Sequence, residues 1–354
     1  MNSELGAAWL QQISWCDKAG SPFTARVLEA AWNDWLAGGT LRELMPDWPG
    51  DPWADAPPLR VAGALHSLAL ESAEPALEAI YPPRAIAFDP VTGAQAVRNA
   101  LRVHRERVAE YLRRPPQTNE IGRSAVLLGG FATIAARTGL PLALREIGAS
   151  AGLNLLWHRY RYELGGSLVW GDPVSPVTVR SKWKEHPPML PSRIDLASWH
   201  GCDKTPIDLG APHAAARLAA YIWPDHRERV ERLQAAIALA RSEGVSVEQA
   251  DAATFLTREL AATRSGEATV VYHSIVLQYL SEQTRSALDR VIAEAGARAT
   301  LGAPLAWLAL EPPDPKSRPL LVLTLWTGGD RTVLAEALPH GQSVRWYAQT
   351  TQAG

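Results

Sequence analysis

Apolar residues in the first third of the chain recur at helical spacing. Leu5, Ala8, Trp9, Gln12, Ile13 and Cys16 lie along one helical stripe that stops at Gly20. Ser21-Pro22 reads as an N-cap followed by proline at the first helical position. The helix it opens carries Val27, Leu28, Ala31 and Trp35 and ends at Gly38-Gly39. Five prolines between Pro46 and Pro58, with Trp48 and Trp53 among them, mark a stiff loop. Leu59–Leu70 is again helical, and Thr92–Arg114 is a long polar helix whose mixed charges suit a solvated face. Pro115-Pro116 closes this region and predicts a boundary, with a helical N-terminal domain over residues 1–115 and an α/β domain over 116–354.

Beyond the prolines the period changes. A helix capped by Thr118 or Asn119 runs to Arg137, with Gly139 past its end. Leu142–Ile147 then reads as a strand, followed by a glycine-rich turn. Further strands are expected at Val245–Gln249, Thr269–His273, Leu305–Leu310 and Leu320–Trp326. Helices are expected at Ala214–Arg241, Ala252–Leu260 and Ser281–Gly296. Alternation of this kind predicts a mostly parallel sheet covered on both faces. Leu320–Trp326, Gly328-Gly329 and Thr332–Leu338 predict an antiparallel closing hairpin. The stretch from about 157 to 193 breaks the alternation and reads as a β-rich insertion.

Composition narrows the class without naming a chemistry. The 354 residues are 47% hydrophobic and 20% charged, as in a folded protein, and a net charge of −2 gives no support for nucleic-acid binding. Two distant cysteines, Cys16 and Cys202, exclude a disulfide framework and a Cys-x-x-Cys site, which fits a reducing cytoplasm. No apolar run approaches the ~20 residues of a membrane span, and no histidine pair has the spacing of a zinc helix, so no metal or membrane partner is expected.

The chemistry concentrates in Glu146-Ile147-Gly148-Ala149-Ser150-Ala151-Gly152-Leu153-Asn154, at the hand-over from strand to helix. Small residues at 148, 150 and 152 let a ligand approach the backbone, and a following helix offers N–H groups. Three readings compete with a plain tight turn. The first is the adenosyl-cofactor turn of class I methyltransferases, which it resembles, with Ser150 in place of the middle glycine. The second is a dinucleotide fingerprint, poorly matched at Ser150 and Leu153. The third is a nucleophile elbow, since Gly148-Ala149-Ser150-Ala151-Gly152 satisfies Gly-x-Ser-x-Gly, with Asp251 or Glu311 and then His340 in the required order. Against the third, the turn follows the first strand of its domain, and the charged Glu146 sits in the run-up.

Downstream positions favour the first reading. Asp203 lies at the end of an expected second strand, where a carboxylate can accept both ribose hydroxyls. Asp251-Ala252 ends another strand, at the adenine position, although Asp251 also suits an N-cap. His273 ends the next and is a candidate base for a substrate proton, with Gln278 and Tyr279 beyond it.

Gln117-Thr118-Asn119-Glu120, the run Glu146–Leu155, Trp170-Gly171-Asp172-Pro173, Trp223-Pro224, Glu311-Pro312 and Pro339-His340-Gly341 together resemble a bacterial family known as domain of unknown function 2332. The resemblance implies a Rossmann-like, methyltransferase-type core and carries no activity with it. By analogy of position, Glu146, Gly148, Ser150, Gly152, Asn154, Asp203, Asp251 and Ala252 form the cofactor set, for S-adenosylmethionine. His273, Gln278 and Tyr279 face a small-molecule acceptor, which Gln117, Thr118, Asn119 and Arg123 help to line. The helical domain is then a lid. A non-catalytic protein that binds a nucleotide-like ligand is the remaining alternative.

Overall fold

The computed structural model describes residues 3–85, 87–314, 317–326 and 328–348. The α/β region expected over 116–354 therefore ends, at 349–354, outside the described residues. The chain forms two compact units: 1–118 with 211–234, and 119–210 with 235–354. The helical unit thus also takes in residues 211–234, which the sequence pattern places in the α/β region.

The helical unit is built on Ser3–Lys18, Pro22–Leu36, Pro57–Leu70, Pro90–Val103 and Arg105–Leu112, with shorter helices between them. Its tryptophans at helical spacing are packing residues. Trp32 stacks on Trp9 with centroids 5.2 Å apart and on Trp35 at 4.6 Å. The indole N–H groups of Trp9 and Trp35 are satisfied as burial requires: Trp9 donates to the Leu28 carbonyl and Trp35 to that of Met45. The single helix expected over Thr92–Arg114 is two, parted at His104. That expected over Ala214–Arg241 is also two, Ala214–Ala219 and Arg227–Ser242. Between these lies Pro224, which has no N–H to continue a helical ladder.

In the α/β unit the strands are β1 (Leu142–Ile147), β2 (Arg161–Glu163), β3 (Val169–Gly171), β4 (Thr178–Arg180), β5 (Lys182–Glu185), β6 (Leu196–Asp203), β7 (Glu248–Gln249), β8 (Ala268–Ser274), β9 (Leu305–Glu311), β10 (Leu320–Trp326), β11 (Asp330–Ala337) and β12 (Ser343–Trp346). Nine of them form one sheet in the order β5-β12-β11-β10-β9-β8-β1-β6-β7. The strands β7, β6, β1, β8 and β9 are mutually parallel; β10, β11 and β12 follow antiparallel, and β5 joins β12 in parallel. The expected mostly parallel sheet and its closing hairpin are both present. The irregular stretch is indeed β-rich: β2, β3 and β4 make a separate three-stranded sheet, and β5 completes the edge of the large one. The strand expected over Val245–Gln249 pairs only at Glu248–Gln249.

β1 lies mid-sheet and is buried along its whole length, as a parallel strand covered on both faces must be. Two consecutive charges inside it therefore point to opposite faces. On one face the fully buried Arg145 meets Glu259 of the helix Ala252–Glu259, Nε to Oε2 at 2.7 Å. Glu146 enters the other face, where Phe131 of the helix Ser124–Thr138 stacks on Trp157 and meets Tyr272 edge-on.

Candidate functional site

The order of the parallel strands sets the location. From β1 the chain builds outward through β6 and β7 on one side, then returns to place β8 and β9 on the other. The strand order reverses between β1 and β8, and in open α/β sheets ligands bind beyond the carboxyl ends at such a point. The glycine turn leaves β1 there. Gly148 (φ +68°), Ser150 (φ +55°) and Gly152 (φ +75°) all occupy the left-handed region, which explains the glycines at 148 and 152 and leaves Ser150 strained. A short 3₁₀ helix follows, Leu153–Arg159, in place of the expected α-helix.

The N–H groups of this turn are not free for a ligand. Ser150 N–H donates to Asp203 Oδ2 at 2.9 Å, and the other carboxylate oxygen accepts Thr205 N–H at 2.9 Å. Asn119 Oδ1 takes Ala151 N–H at 3.3 Å and Leu153 N–H at 3.0 Å. Asn119 therefore caps the turn 32 residues away and not its own helix, which opens through a 3₁₀ turn, Ile121–Arg123, with Glu120 accepting from Gly122 N–H. The faces of the glycines are filled as well. A methyl group at Gly148 would run into Val276, and one at Gly152 would lie 2.6 Å from Val245 and 2.9 Å from Val247.

Two acids border the turn. Asp203, at the carboxyl end of β6, is half-buried, and each of its oxygens spends one lone pair on the backbone. Glu146 is buried and accepts from the Tyr272 hydroxyl at 3.1 Å. Burial pushes its carboxyl up to about 8; the nearby Asp203 charge adds to the rise and the Tyr272 bond opposes it. Glu146 is thus a neutral acid at pH 7. The Ser150 hydroxyl and the Asn154 Oδ1, both buried, have no hydrogen-bond partner, while Asn154 donates to the Glu120 carbonyl at 3.4 Å.

At the end of β8 the geometry fixes a tautomer. Trp307 Nε1–H donates to His273 Nε2 at 3.0 Å, and an indole nitrogen can only donate. The proton of a neutral His273 therefore sits on Nδ1, 2.7 Å from Glu311 Oε1. With both nitrogens engaged, His273 has no lone pair to offer a substrate proton. The same Oε1 accepts Val276 N–H at 2.8 Å and Leu277 N–H at 3.4 Å. Just before them Ile275, a β-branched residue, is held at φ +54°, a conformation costing about 1–3 kcal/mol. Gln278 and Tyr279 follow in an exposed turn.

The other expected site residues separate. Asp251 caps the helix Ala252–Glu259, accepting Ala253 N–H at 2.9 Å and Thr254 N–H at 3.3 Å, and Ala252 is buried beneath it. Arg123 ties elements together, donating to the Pro339 carbonyl at 3.0 Å and the Ser274 carbonyl at 2.9 Å. Gln117 and Thr118 belong to the helical unit, where Gln117 accepts from Arg217 at 3.4 Å. For the elbow reading, Ser150 has the strained backbone, but its Oγ is unpartnered. His340 pairs with Glu120 at 3.3 Å, and Glu311 holds His273. Among the described residues no group of three or more His, Cys, Asp or Glu is placed to hold a metal ion, and no helix is long and apolar enough to cross a membrane.

Tyr272, Val276 and the anchoring roles of Asn119 and Glu311 are the parts that sequence reasoning missed. The motifs Asn119-Glu120 and Glu311-Pro312 carried a signal for two of them without showing the role.

A family model described as "Uncharacterized protein conserved in bacteria (DUF2332)" matches residues 7–346. The chain belongs to this family. In this chain Asn119-Glu120, residues 146–154, Glu311 and Pro339-His340 all fall on the hydrogen-bonded framework just described. No curated protein and no solved structure matches the chain.

Proposed function

We propose that the α/β unit binds S-adenosylmethionine at the carboxyl ends of β1, β6 and β8, and that the protein transfers its methyl group to a small molecule. The observation that carries this reading is the internal capping of the glycine turn. A dinucleotide needs the turn's N–H groups for its pyrophosphate. Here Asp203 and Asn119 hold them, and the acid Asp203 stands at the mouth with Glu146 buried behind the turn. Such a mouth repels phosphate and suits a ligand that is cationic and rich in hydroxyls. The residues present fit an adenosyl sulfonium and do not fit NAD.

When bound, the cofactor supplies an activated methyl group. The chain supplies the rest. Each Asp203 oxygen keeps a lone pair for a ribose hydroxyl. Glu146 gives up its proton when a cation arrives beside it, turning a neutral acid into a counter-charge. Gln278 and Tyr279 stand exposed at the acceptor side, and rate arises from holding the acceptor in line. Calorimetric titration with S-adenosylhomocysteine, S-adenosylmethionine and NADH tests the proposal. Binding of the first two at a Kd of about 1 μM, with none of the third, is expected. A folded sample silent to both adenosyl ligands sinks it.

A further inference from the structure

We infer that Glu311 is the positioning residue for the loop after β8. It holds the segment Ile275–Leu280 seated on the glycine turn, and that seating sets the affinity for the adenosyl ligand. The inference rests on the methyl-transfer reading and names a residue that reading does not use.

Three successive main-chain N–H groups of the loop are held by the last two residues of β9. Ile275 N–H donates to the Leu310 carbonyl at 2.9 Å, and those of Val276 and Leu277 donate to Glu311 Oε1. The carboxylate is fixed in turn by His273 Nδ1–H, and His273 by Trp307. One oxygen thus gathers three donors, from the end of one strand and the start of a loop.

The consequence lies at Val276. Its side chain fills the space that a Cβ at Gly148 would need, so the loop forms one wall of the turn. A chain with Ile275 in the left-handed region does not adopt this course unaided. The hydrogen bonds of Glu311 pin the residue that follows. Without them the seated loop is one state among several, and the ligand's apparent affinity falls with the seated fraction. Gln278 and Tyr279, on the same loop, lose their fixed place as well.

The test uses the full chain as wild type, Glu311→Ala and Glu311→Gln. Amide exchange is read over residues 275–280 and over β1, and S-adenosylhomocysteine is titrated into each. In Glu311→Ala the loop amides are expected to exchange faster while β1 stays protected, and the Kd to weaken by about tenfold, as if only a tenth of molecules held the loop seated. Glu311→Gln keeps a neutral acceptor and should fall between. If β1 also loses protection in Glu311→Ala, the glutamine variant decides alone. Unchanged loop exchange overturns the inference. So does a freed loop with unchanged or tighter affinity, since the anchor would then be structural or inhibitory. Silence of the wild type to the ligand sinks the methyl-transfer reading and this role with it, and is distinguishable because it appears before any substitution.

Discussion

The Asp203 carboxylate accepts the Ser150 main-chain N–H at 2.9 Å, tying the end of β6 to the turn that leaves β1. A residue expected to serve a ligand is therefore also part of the framework. Asp203→Asn keeps one acceptor oxygen and loses the charge. Denaturant unfolding should show a loss of roughly 1–2 kcal/mol, and Asp203→Ala a larger one, because a buried N–H is orphaned. Binding of S-adenosylhomocysteine should weaken in the asparagine variant by roughly 1.5–3 kcal/mol, the worth of hydrogen bonds to a charged group. Undiminished affinity in a folded Asp203→Asn protein would remove Asp203 from the ligand site.

Glu146 predicts two effects of pH. Its carboxyl is raised to about 8, so between the ordinary glutamate value and 8 the folded state holds a proton that the unfolded state has lost. Stability must then fall as pH rises through that window and level off above it, by up to roughly 5 kcal/mol from this group at about 1.4 kcal/mol per unit. Glu146→Gln, which can still accept from Tyr272, should flatten that slope and be the more stable protein at pH 8. Ligand binding gives the second readout. A cation beside Glu146 releases its proton, so the calorimetric enthalpy at pH 7 should depend on the buffer's ionisation heat. A buffer-independent enthalpy would show that the ligand's charge lies elsewhere.

Gly148 and Val276 should be energetically coupled. Gly148→Ala meets both an unfavourable positive φ and the Val276 side chain, and should cost about 2–4 kcal/mol from strain and overpacking combined. Adding Val276→Ala removes the collision and leaves the backbone strain. The double variant should therefore be less destabilised than the two single losses sum to, by about 1 kcal/mol or more in a double-mutant cycle. Additive losses would mean that the two residues do not touch.

In the helical unit, burial lowers the His66 imidazole to about 4, against the opposing pull of the Ala220 carbonyl 3.2 Å from Nδ1. The folded state keeps His66 neutral while the unfolded state takes up a proton below its ordinary value near 6.5. Stability from this group is then complete above that pH and lost on acidification towards 4, by roughly 3 kcal/mol. His66→Phe retains the stacking surface against Tyr81 and should lose this part of the acid sensitivity. Unfolding midpoints at pH 7 and pH 4.5, followed by tryptophan fluorescence, check it. Equal acid shifts in both proteins would assign the sensitivity to another group.

Much of the sheet was legible along the chain. β8, β9 and β10 are mostly apolar runs, β1 is a shorter one between Pro141 and Gly148, and the β10–β11 hairpin announces itself by Gly328-Gly329. The glycine turn was legible too, because a left-handed backbone restricts which residues can stand there. The helix ends were read less well. His104 is no breaker by type, and Pro224 stands alone in a run of helix formers.

The sequence by itself determined the alternation of elements, the strained turn and the acids near it, since period, propensity and backbone sterics act over a few residues. Only the tertiary structure decided what those residues bond to. Asn119 meets the turn from 32 residues away, Asp203 meets Ser150 from 53, and Glu311 meets His273 from 38. A carboxylate or amide oxygen has the same composition whether it faces a ligand or a backbone N–H. Which of the two it serves depends on strand order, and strand order is settled by which apolar faces bury one another, not by any local pattern.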